Sequence, residues 1–199
     1  MGWMNDMLSY ISLDPIYRAF NHDKLTFSFF YCFSENYILP ISHDEIVYGK
    51  CSMLEKMSGQ TEEEKFASYR AFLGYMMAHP GKKLLFMGQE FAQLQEWSEA
   101  RSLDWYLLDE PEHKDMQEYV KKLLHLYKEY PALYTETKGY GAFEWINAND
   151  CERSIFSFIR KTTEADYKNS IGFVCNFTPM ERPDYVVGVP KAGTYKRLV

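Results

Sequence analysis

The sequence lacks the cysteine patterns that mark disulfide frameworks and metal centres. Its four cysteines are scattered along the chain: Cys32, Cys51, Cys151 and Cys175. No CxxC pair and no Cys/His cluster has the spacing of a zinc site. We therefore expect buried free thiols, as in proteins of a reducing compartment.

Long apolar runs and an excess of basic residues are also missing. No stretch approaches the ~18 apolar residues that span a bilayer, which predicts no membrane partner. The first six residues carry no basic segment leading into an apolar run, so we predict no secretory signal and a cytoplasmic protein, or a plastid protein if the source is a plant. A net charge of −6 excludes a general nucleic-acid binder, which needs a basic face, and suits a neutral substrate.

Apolar and aromatic residues are plentiful. Hydrophobic residues make up 46% of the chain and aromatic residues 17%, with 16 tyrosines and 14 phenylalanines. This is ample material for a packed core, and aromatic faces that are not in the core can stack on sugars. The 199 residues suit one domain plus part of another, or two small domains.

The first part of the chain alternates between helix and strand patterns. Asp14-Pro15 predicts a helix start, with Asp as the N-cap. Leu25, Phe29 and Phe33 recur every four residues, which indicates a short buried helix, although a buried strand fits the same run. The apolar run Tyr37–Ile41 predicts a buried strand.

A second helix and strand follow. Thr61 to Glu64 form a capping box that starts a helix, and His79-Pro80-Gly81 ends it. Lys83–Met87 predicts another buried strand. Glu112–Tyr130 predicts a third helix, because Met116, Tyr119, Leu123 and Leu126 recur at helical spacing on one face. This alternation predicts a parallel α/β sheet with crossover helices.

The pattern changes after residue 137. Four short runs rich in aromatic and β-branched residues predict strands: Ala142–Ile146, Ser154–Arg160, Ile171–Phe177 and Tyr185–Val189. Turn-like segments at residues 147–150 and 168–170 separate them. We therefore predict an α/β part over residues 1–137 and an antiparallel all-β part over 138–199, the start of a truncated β-sandwich. No internal repeat is visible.

Polar residues follow the first predicted strand directly. His43, Asp44 and Glu45 come after Ile41, and in a barrel of parallel strands that end faces the active site. A carboxylate there can stabilise positive charge or hold sugar hydroxyls, and a histidine can donate a hydrogen bond. The alternative is a plain polar turn in which Asp44 caps a following helix.

A second group follows the next strand. Glu90 lies at the equivalent place, although we favour the interpretation of a buried carboxylate bonded to the backbone or to Arg101. Arg101 and Asp104 can form a salt bridge that fixes the adjoining loop, and Trp105 is a sugar platform, a lid or a core residue. Three isolated histidines are interpreted as surface or capping residues: His22, His113 and His125.

Seven segments taken together closely resemble the 1,4-α-glucan branching enzymes of the α-amylase superfamily. They are Gly2–Asp6, Leu13–Pro15, Leu25–Ser28, Leu39–Glu45, Gly49-Lys50, Gly81–Gly88 and Arg101–Trp105. The pair His43-Asp44 alone would indicate only the superfamily. The resemblance is dense to about Leu133 and weaker beyond it.

The resemblance implies a catalytic (β/α)8 TIM barrel followed by an antiparallel β domain. On that alignment Tyr37–Ile41 is the seventh barrel strand and Lys83–Met87 the eighth. Since a full barrel needs about 250 residues, the chain would supply its last third. The implied activity is that of a hexosyltransferase which cuts an α-1,4-glucan such as glycogen or amylose and transfers the segment to a 6-hydroxyl by retaining chemistry.

The resemblance also assigns roles. Asp44 matches the carboxylate that stabilises the transition state, His43 its neighbour at the same sugar, and Glu45 a family position of less defined role. The nucleophile and the acid/base lie on the fourth and fifth strands, outside this sequence, so we expect the chain to be inactive alone. Glu90, Arg101, Asp104 and Trp105 are carried over only as structural or supporting residues. No cofactor and no metal are implied.

The sequence departs from the family at Gln89 and Ala92, where glycines are usual. Larger side chains there would narrow the mouth of the site or mark a lineage.

Two other functions remain open. One is a hydrolytic or debranching enzyme of the same superfamily, and the other is a non-catalytic glucan-binding or interaction protein. Uncovered sheet edges also predict self-association, or pairing with the missing part of the barrel.

Overall fold

A computed structural model describes residues 2–34, 36, 38–135 and 140–199. The predicted boundary between residues 137 and 138 and the predicted strand residue Tyr37 lie outside the described residues. None of the helices in these ranges is both long and apolar enough to cross a membrane.

Short helices open the structure. They are α1 (Gly2–Ile11), α2 (Pro15–Arg18) and α3 (Asp23–Thr26), with single 3₁₀ turns at Ala19–Asn21 and Phe27–Phe30. Asp14 caps α2 as predicted, since its carboxylate accepts a 3.0 Å hydrogen bond from the Ile16 N–H. Leu25 and Phe29 are buried on helical backbone, so the helical interpretation of that run is confirmed and the strand interpretation is wrong.

Two parallel strands follow, as the alternation predicted, although the second is exposed or half-buried and not buried. β1 (Ile38–Ile41) pairs with β2 (Lys82–Leu85), and α4 (Glu62–Ala78) connects them. The capping box is present: the Thr61 hydroxyl accepts from the Glu64 N–H at 3.2 Å, and the Glu64 carboxylate accepts from the Thr61 N–H at 3.3 Å. β2 ends two residues earlier than predicted, because the Phe86 N–H leaves the ladder and donates to the Gln89 side chain at 3.2 Å.

The predicted third helix is α5 (Pro111–Glu129), and a short helix α6 (Pro131–Tyr134) follows it. The α5 helix packs on α4, where the Tyr119 hydroxyl donates to the Arg70 carbonyl at 3.0 Å. Its buried face carries Met116 and Leu123, two of the residues whose spacing predicts the helix.

An antiparallel sheet ends the regular structure. It has the order β3 (Phe143–Asp150), β4 (Ile155–Arg160) and β5 (Ile171–Asn176), which confirms three of the four predicted strands. Residues 147–150, predicted as a turn, belong to the end of β3, where the register is irregular.

The predicted strand Tyr185–Val189 is wrong. Val186 is 90% exposed and no residue of the segment is buried, so it lacks the apolar face that a strand packs against a core. Tyr185 instead lies beside β3, where its hydroxyl donates to the Asp150 carboxylate at 2.8 Å.

An aromatic cluster joins the β sheet to the helices in one core. The Phe158 ring lies 5.9 Å from Phe29 and 6.1 Å from Tyr75, centroid to centroid, and Phe156 and Phe177 also contact Tyr75. All five side chains are buried. Fully burying a large apolar side chain contributes about 1.5–3 kcal/mol, so this cluster holds the sheet firmly against α4.

A buried arginine ties three segments together. Arg18 is 2% exposed, and its guanidinium donates to the carbonyls of Ile11 at 2.8 Å and Phe177 at 2.6 Å. It also donates to the Ser58 hydroxyl at 2.6 Å. Burial lowers the pKa of Arg18, yet these acceptors satisfy its donors, so it fastens the end of α1 to the residue after β5.

The interpretation of the isolated histidines is wrong for two of them. His22 is 8% exposed and stacks on Phe156 with centroids 3.9 Å apart, and His113 is 3% exposed and bonds the Phe91 carbonyl at 2.8 Å. An imidazole has an apolar ring face, and one ring nitrogen satisfied by a carbonyl allows it to be buried. His125 lies at the surface as predicted.

The four cysteines are free. Cys32 is buried, and burial raises the pKa of its thiol to about 12, whereas Cys51, Cys151 and Cys175 are half-buried. The expectation of buried thiols is therefore confirmed for Cys32 only.

Candidate active site

The candidate site begins where β1 ends. After Ile41 the chain enters a 3₁₀ turn, His43–Glu45, which Ser42 caps by accepting a hydrogen bond from the Asp44 N–H at 3.3 Å. The turn presents two of its side chains outward: His43 is 49% and Asp44 71% exposed. Asp44 lies inside this turn, and Ser42 supplies the cap, so the capping role considered for Asp44 falls to its neighbour.

Two groups lie against the Asp44 carboxylate. His43 Nε2 is 3.3 Å from Asp44 Oδ1, and the Ser42 hydroxyl donates to Oδ2 at 3.3 Å. Glu45 is more sheltered and lies 3.8 Å from the Lys50 ammonium, which also donates to the Asp44 carbonyl at 2.7 Å. The three residues predicted at this strand end therefore lie together, and Lys50 contacts two of them.

Aromatic rings support His43 from the side of β2. The imidazole lies 5.6 Å from the ring of Phe86 and 6.0 Å from that of Trp97, and these two rings meet edge to face at 5.2 Å. The Trp97 N–H donates to the Ile46 carbonyl at 3.0 Å. Phe86 was not among the predicted site residues; its position directly after a strand is a signal that could have indicated it.

Glu90 is bonded to backbone, one of the two interpretations offered for it. Its carboxylate accepts from the Gly88 N–H at 2.8 Å, in a tight turn where Gly88 has φ +90°. Gln89 and Ala92 are 3% and 1% exposed, so both side chains lie in the interior. Ala92 has φ +58°, a left-handed conformation that glycine adopts more easily, which accounts for the usual family residue there.

Arg101 and Asp104 do not pair with each other in the part of the chain that the structure describes. Arg101 donates to the Gln95 side chain and to the Glu96 carbonyl. The Asp104 N–H donates to the Gln93 side chain at 3.1 Å. Trp105 is 53% exposed and lies against Phe91 at 5.2 Å, so it is not a core residue.

Sequence reasoning missed Glu96. Its carboxylate accepts from the Gly49 N–H at 3.0 Å and from the Cys51 N–H at 2.5 Å, and these donors lower the pKa of Glu96. A carboxylate that binds backbone donors has no spacing signature, so nothing in the sequence pattern indicates this contact.

This geometry suits a neutral, hydroxyl-rich ligand. A carboxylate, an imidazole and a hydroxyl converge at an exposed strand end, where they can accept and donate hydrogen bonds to sugar hydroxyls. Across the described ranges, no group of three or more His, Cys, Asp or Glu side chains is arranged to hold a metal ion.

Comparison with known proteins defines the class. Residues 145–199, which contain the antiparallel sheet from Trp145 onward, match the family described as alpha amylase, C-terminal all-beta domain. The fold and this match place the carboxy-terminal part of the chain with the α-amylase-type enzymes.

Relatives along the whole chain define the family more closely. The chain is 52% identical over 199 residues to the 1,4-alpha-glucan branching enzyme GlgB of Butyrivibrio fibrisolvens, and 52% identical over 199 residues to that of Aquifex aeolicus. The GlgB enzyme of Synechococcus elongatus is 49% identical over 198 residues. Each match covers 100% of this chain but only 31%, 31% and 25% of the relative.

The chain therefore belongs to the 1,4-alpha-glucan branching enzyme family and corresponds to its carboxy-terminal part. It spans about a third or less of the length of these relatives.

Proposed function

We propose that this chain provides the carboxy-terminal part of a glucan-branching catalytic unit, which transfers α-1,4-glucan segments to 6-hydroxyls. The observation that carries the proposal is the identity of about half of all 199 residues to enzymes of that name. The parallel pair β1–β2 with its crossover helix α4 supports the assignment of these strands to the end of a (β/α)8 barrel. The antiparallel sheet would then be the β domain that follows the barrel.

In this proposal Asp44 stabilises the transition state. In retaining chemistry a nucleophilic carboxylate attacks the anomeric carbon while an acid protonates the leaving oxygen, and a hydroxyl of the acceptor chain then displaces the enzyme. Positive charge develops on the sugar in both steps. The Asp44 carboxylate can bind ring hydroxyls and offset that charge, and His43, in contact with it at 3.3 Å, can donate to the same sugar. Glu45 would bind substrate from beside Lys50.

The chain alone should be inactive. The nucleophile and the acid/base are assigned to strands upstream of this sequence, and Asp44 is 71% exposed, so water screens its charge. Electrostatic catalysis needs a preorganised site from which water is excluded. The upstream part of the barrel would supply both the missing carboxylates and that shelter.

Exposed apolar side chains also favour a partner for this chain. Ile16 and Phe20, four positions apart, are 67% and 84% exposed, and Phe27 and Phe30, whose rings lie 6.1 Å apart, are 57% and 76% exposed. Ile38 on β1 is 53% exposed. Clustered exposure of large apolar residues is a feature of association surfaces. In this proposal the exposed apolar side chains contact the rest of the barrel, and they mediate self-association when the rest of the barrel is missing.

A hybrid enzyme tests the proposal. This chain would replace the matched carboxy-terminal region of the Butyrivibrio fibrisolvens enzyme, and the hybrid would be assayed on linear amylose by loss of iodine colour and by counting new α-1,6 linkages after debranching. We expect the hybrid to branch amylose, whereas the chain alone and the upstream part alone do not. Release of reducing sugar without new branches, or no activity of a correctly folded hybrid, would contradict the proposal.

A further inference from the structure

A strained turn follows the candidate site. Tyr48, Gly49 and Cys51 all have positive φ, at 58°, 82° and 60°. Positive φ is easy for glycine but uncommon for a bulky residue such as tyrosine, and it persists only where the surroundings enforce it. Such strained residues occur preferentially at functional sites.

Glu96 enforces this conformation. Its two carboxylate oxygens accept from the Gly49 N–H at 3.0 Å and the Cys51 N–H at 2.5 Å, so one side chain binds two donors of the turn. The Lys56 ammonium adds a hydrogen bond to the Lys50 carbonyl. The Tyr48–Cys51 turn is thus held by side chains from outside its own segment.

The Tyr48–Cys51 turn also contacts the candidate site residues His43–Glu45. Lys50, which lies between the two residues that Glu96 holds, donates to the Asp44 carbonyl at 2.7 Å and approaches Glu45 at 3.8 Å. Next to Glu96, the backbone N–H of Trp97 donates to the Ile46 carbonyl at 3.0 Å, and the Trp97 ring contacts His43. The position of the turn and the position of His43–Glu45 are therefore coupled.

The Tyr48 side chain projects from this turn into solvent. This side chain is 97% exposed, while Ile46 and Val47 just before it are buried. A tyrosine offers an apolar ring face and a polar hydroxyl, which suits the CH face and the hydroxyls of a sugar. Neither core packing nor solubility accounts for a fully exposed tyrosine in a strained conformation that another residue holds in place.

We propose that Tyr48 is a contact for the glucan chain beside Asp44, and that Glu96 is the positioning residue that holds the Tyr48–Cys51 turn in its binding shape. This inference rests on the proposed function, because it concerns the same glucan. It adds a binding residue and its support to the site.

The test measures the binding of maltoheptaose to the hybrid enzyme in an Asp44→Asn background, so that the ligand is not consumed. We expect Tyr48→Ala to raise Kd about tenfold, and Tyr48→Trp, which keeps an aromatic face, to stay within about twofold. The matched control is Tyr195→Ala, in the all-β part of the chain, where a tyrosine is 55% exposed. Unchanged Kd in Tyr48→Ala, or an equal loss in Tyr195→Ala, overturns the proposal.

Glu96 is tested by a double-mutant cycle. Glu96→Ala should raise Kd about as much as Tyr48→Ala, Glu96→Gln should recover part of the loss, and the double variant should bind no more weakly than either single variant. Additive losses would assign Glu96 a role separate from Tyr48 and overturn its positioning role. A parent hybrid that binds no maltoheptaose overturns both this inference and the proposed function, whereas a parent that binds with an affinity unaffected at Tyr48 overturns the inference alone.

Discussion

A histidine lies at each end of the β1–β2 pair, and the two differ in their exposure to solvent. At the carboxyl end, His43 is about half exposed and lies beside an open carboxylate. At the other end, His79 precedes β2 and is fully buried, with Nε2 2.7 Å from the Ser28 hydroxyl and Nδ1 2.7 Å from the Pro80 carbonyl. Its ring lies 4.4 Å from that of Phe29.

This difference distinguishes the proposed binding end of the strand pair from a packing end. Burial lowers the pKa of His79 well below its usual range, and Lys83 and Arg160 lower it further, so its neutral ring serves as a polar part of an aromatic core. His43 keeps ring atoms open to a ligand. A histidine in a sequence does not reveal which of these roles it has, because its neighbours decide the role.

The largest expected effect on stability is at the packing end. Phe158→Ala removes a fully buried ring that contacts Phe29 and Tyr75, and should lower the free energy of unfolding of the 199-residue chain by about 3–5 kcal/mol. Urea unfolding followed by fluorescence measures it. The matched control Tyr106→Ala, at a ring that is 61% exposed, should change stability by about 0.5 kcal/mol or less. Similar losses in both variants would remove the distinction between core and surface aromatics.

A smaller effect should appear in the pH dependence of stability. Because the pKa of His79 is lower in the folded state than its ordinary value of 6.5, the unfolded state binds more protons, and stability should fall as pH decreases below about 6.5. His79→Gln removes this proton uptake, so its stability should fall less steeply over that range. Urea midpoints at a series of pH values measure the slope, and Tyr106→Ala should keep the slope of the parent. An identical slope in His79→Gln would contradict a buried neutral His79.

The smallest expected effect is at the start of α4, which connects the two strands. Thr61→Ala removes the hydroxyl that accepts from the Glu64 N–H, and should cost about 1 kcal/mol of stability. Glu62→Ala, in the same exposed turn but outside the reciprocal pair, is the control, and urea unfolding again gives the difference. A loss in Glu62→Ala as large as in Thr61→Ala would show that the capping box contributes little.

Most regular elements were predictable because their signals are local. The capping box at Thr61, the Asp14-Pro15 start and the spacing of Met116 and Leu123 each depend on residues within a few positions, and the structure contains the corresponding helices. Tyr185–Val189 misled the prediction because a strand also needs a partner and a buried face, which composition alone does not supply.

The candidate site was predictable only in part. The position of His43, Asp44 and Glu45 at a strand end follows from the apolar run before them. The contacts that support them do not, because Phe86, Trp97 and Glu96 reach the site through tertiary packing and backbone hydrogen bonds. The expected pairing of Arg101 with Asp104 failed for the same reason: sequence proximity does not fix which acceptor a long side chain finds.

The most direct test of this account is a paired measurement on Asp44→Asn and His79→Gln in the hybrid enzyme. The account predicts that Asp44→Asn lowers the branching rate on the order of 10³-fold or more and leaves the thermal unfolding midpoint close to the parent's, since the Asp44 side chain contacts its neighbours Ser42 and His43 and its proposed role is in the transition state. It predicts the reverse for His79→Gln, with a lower midpoint and a branching rate close to the parent's at a temperature where the variant is folded. Near-parental branching by Asp44→Asn would contradict the assignment of the carboxyl end of β1 as the active end.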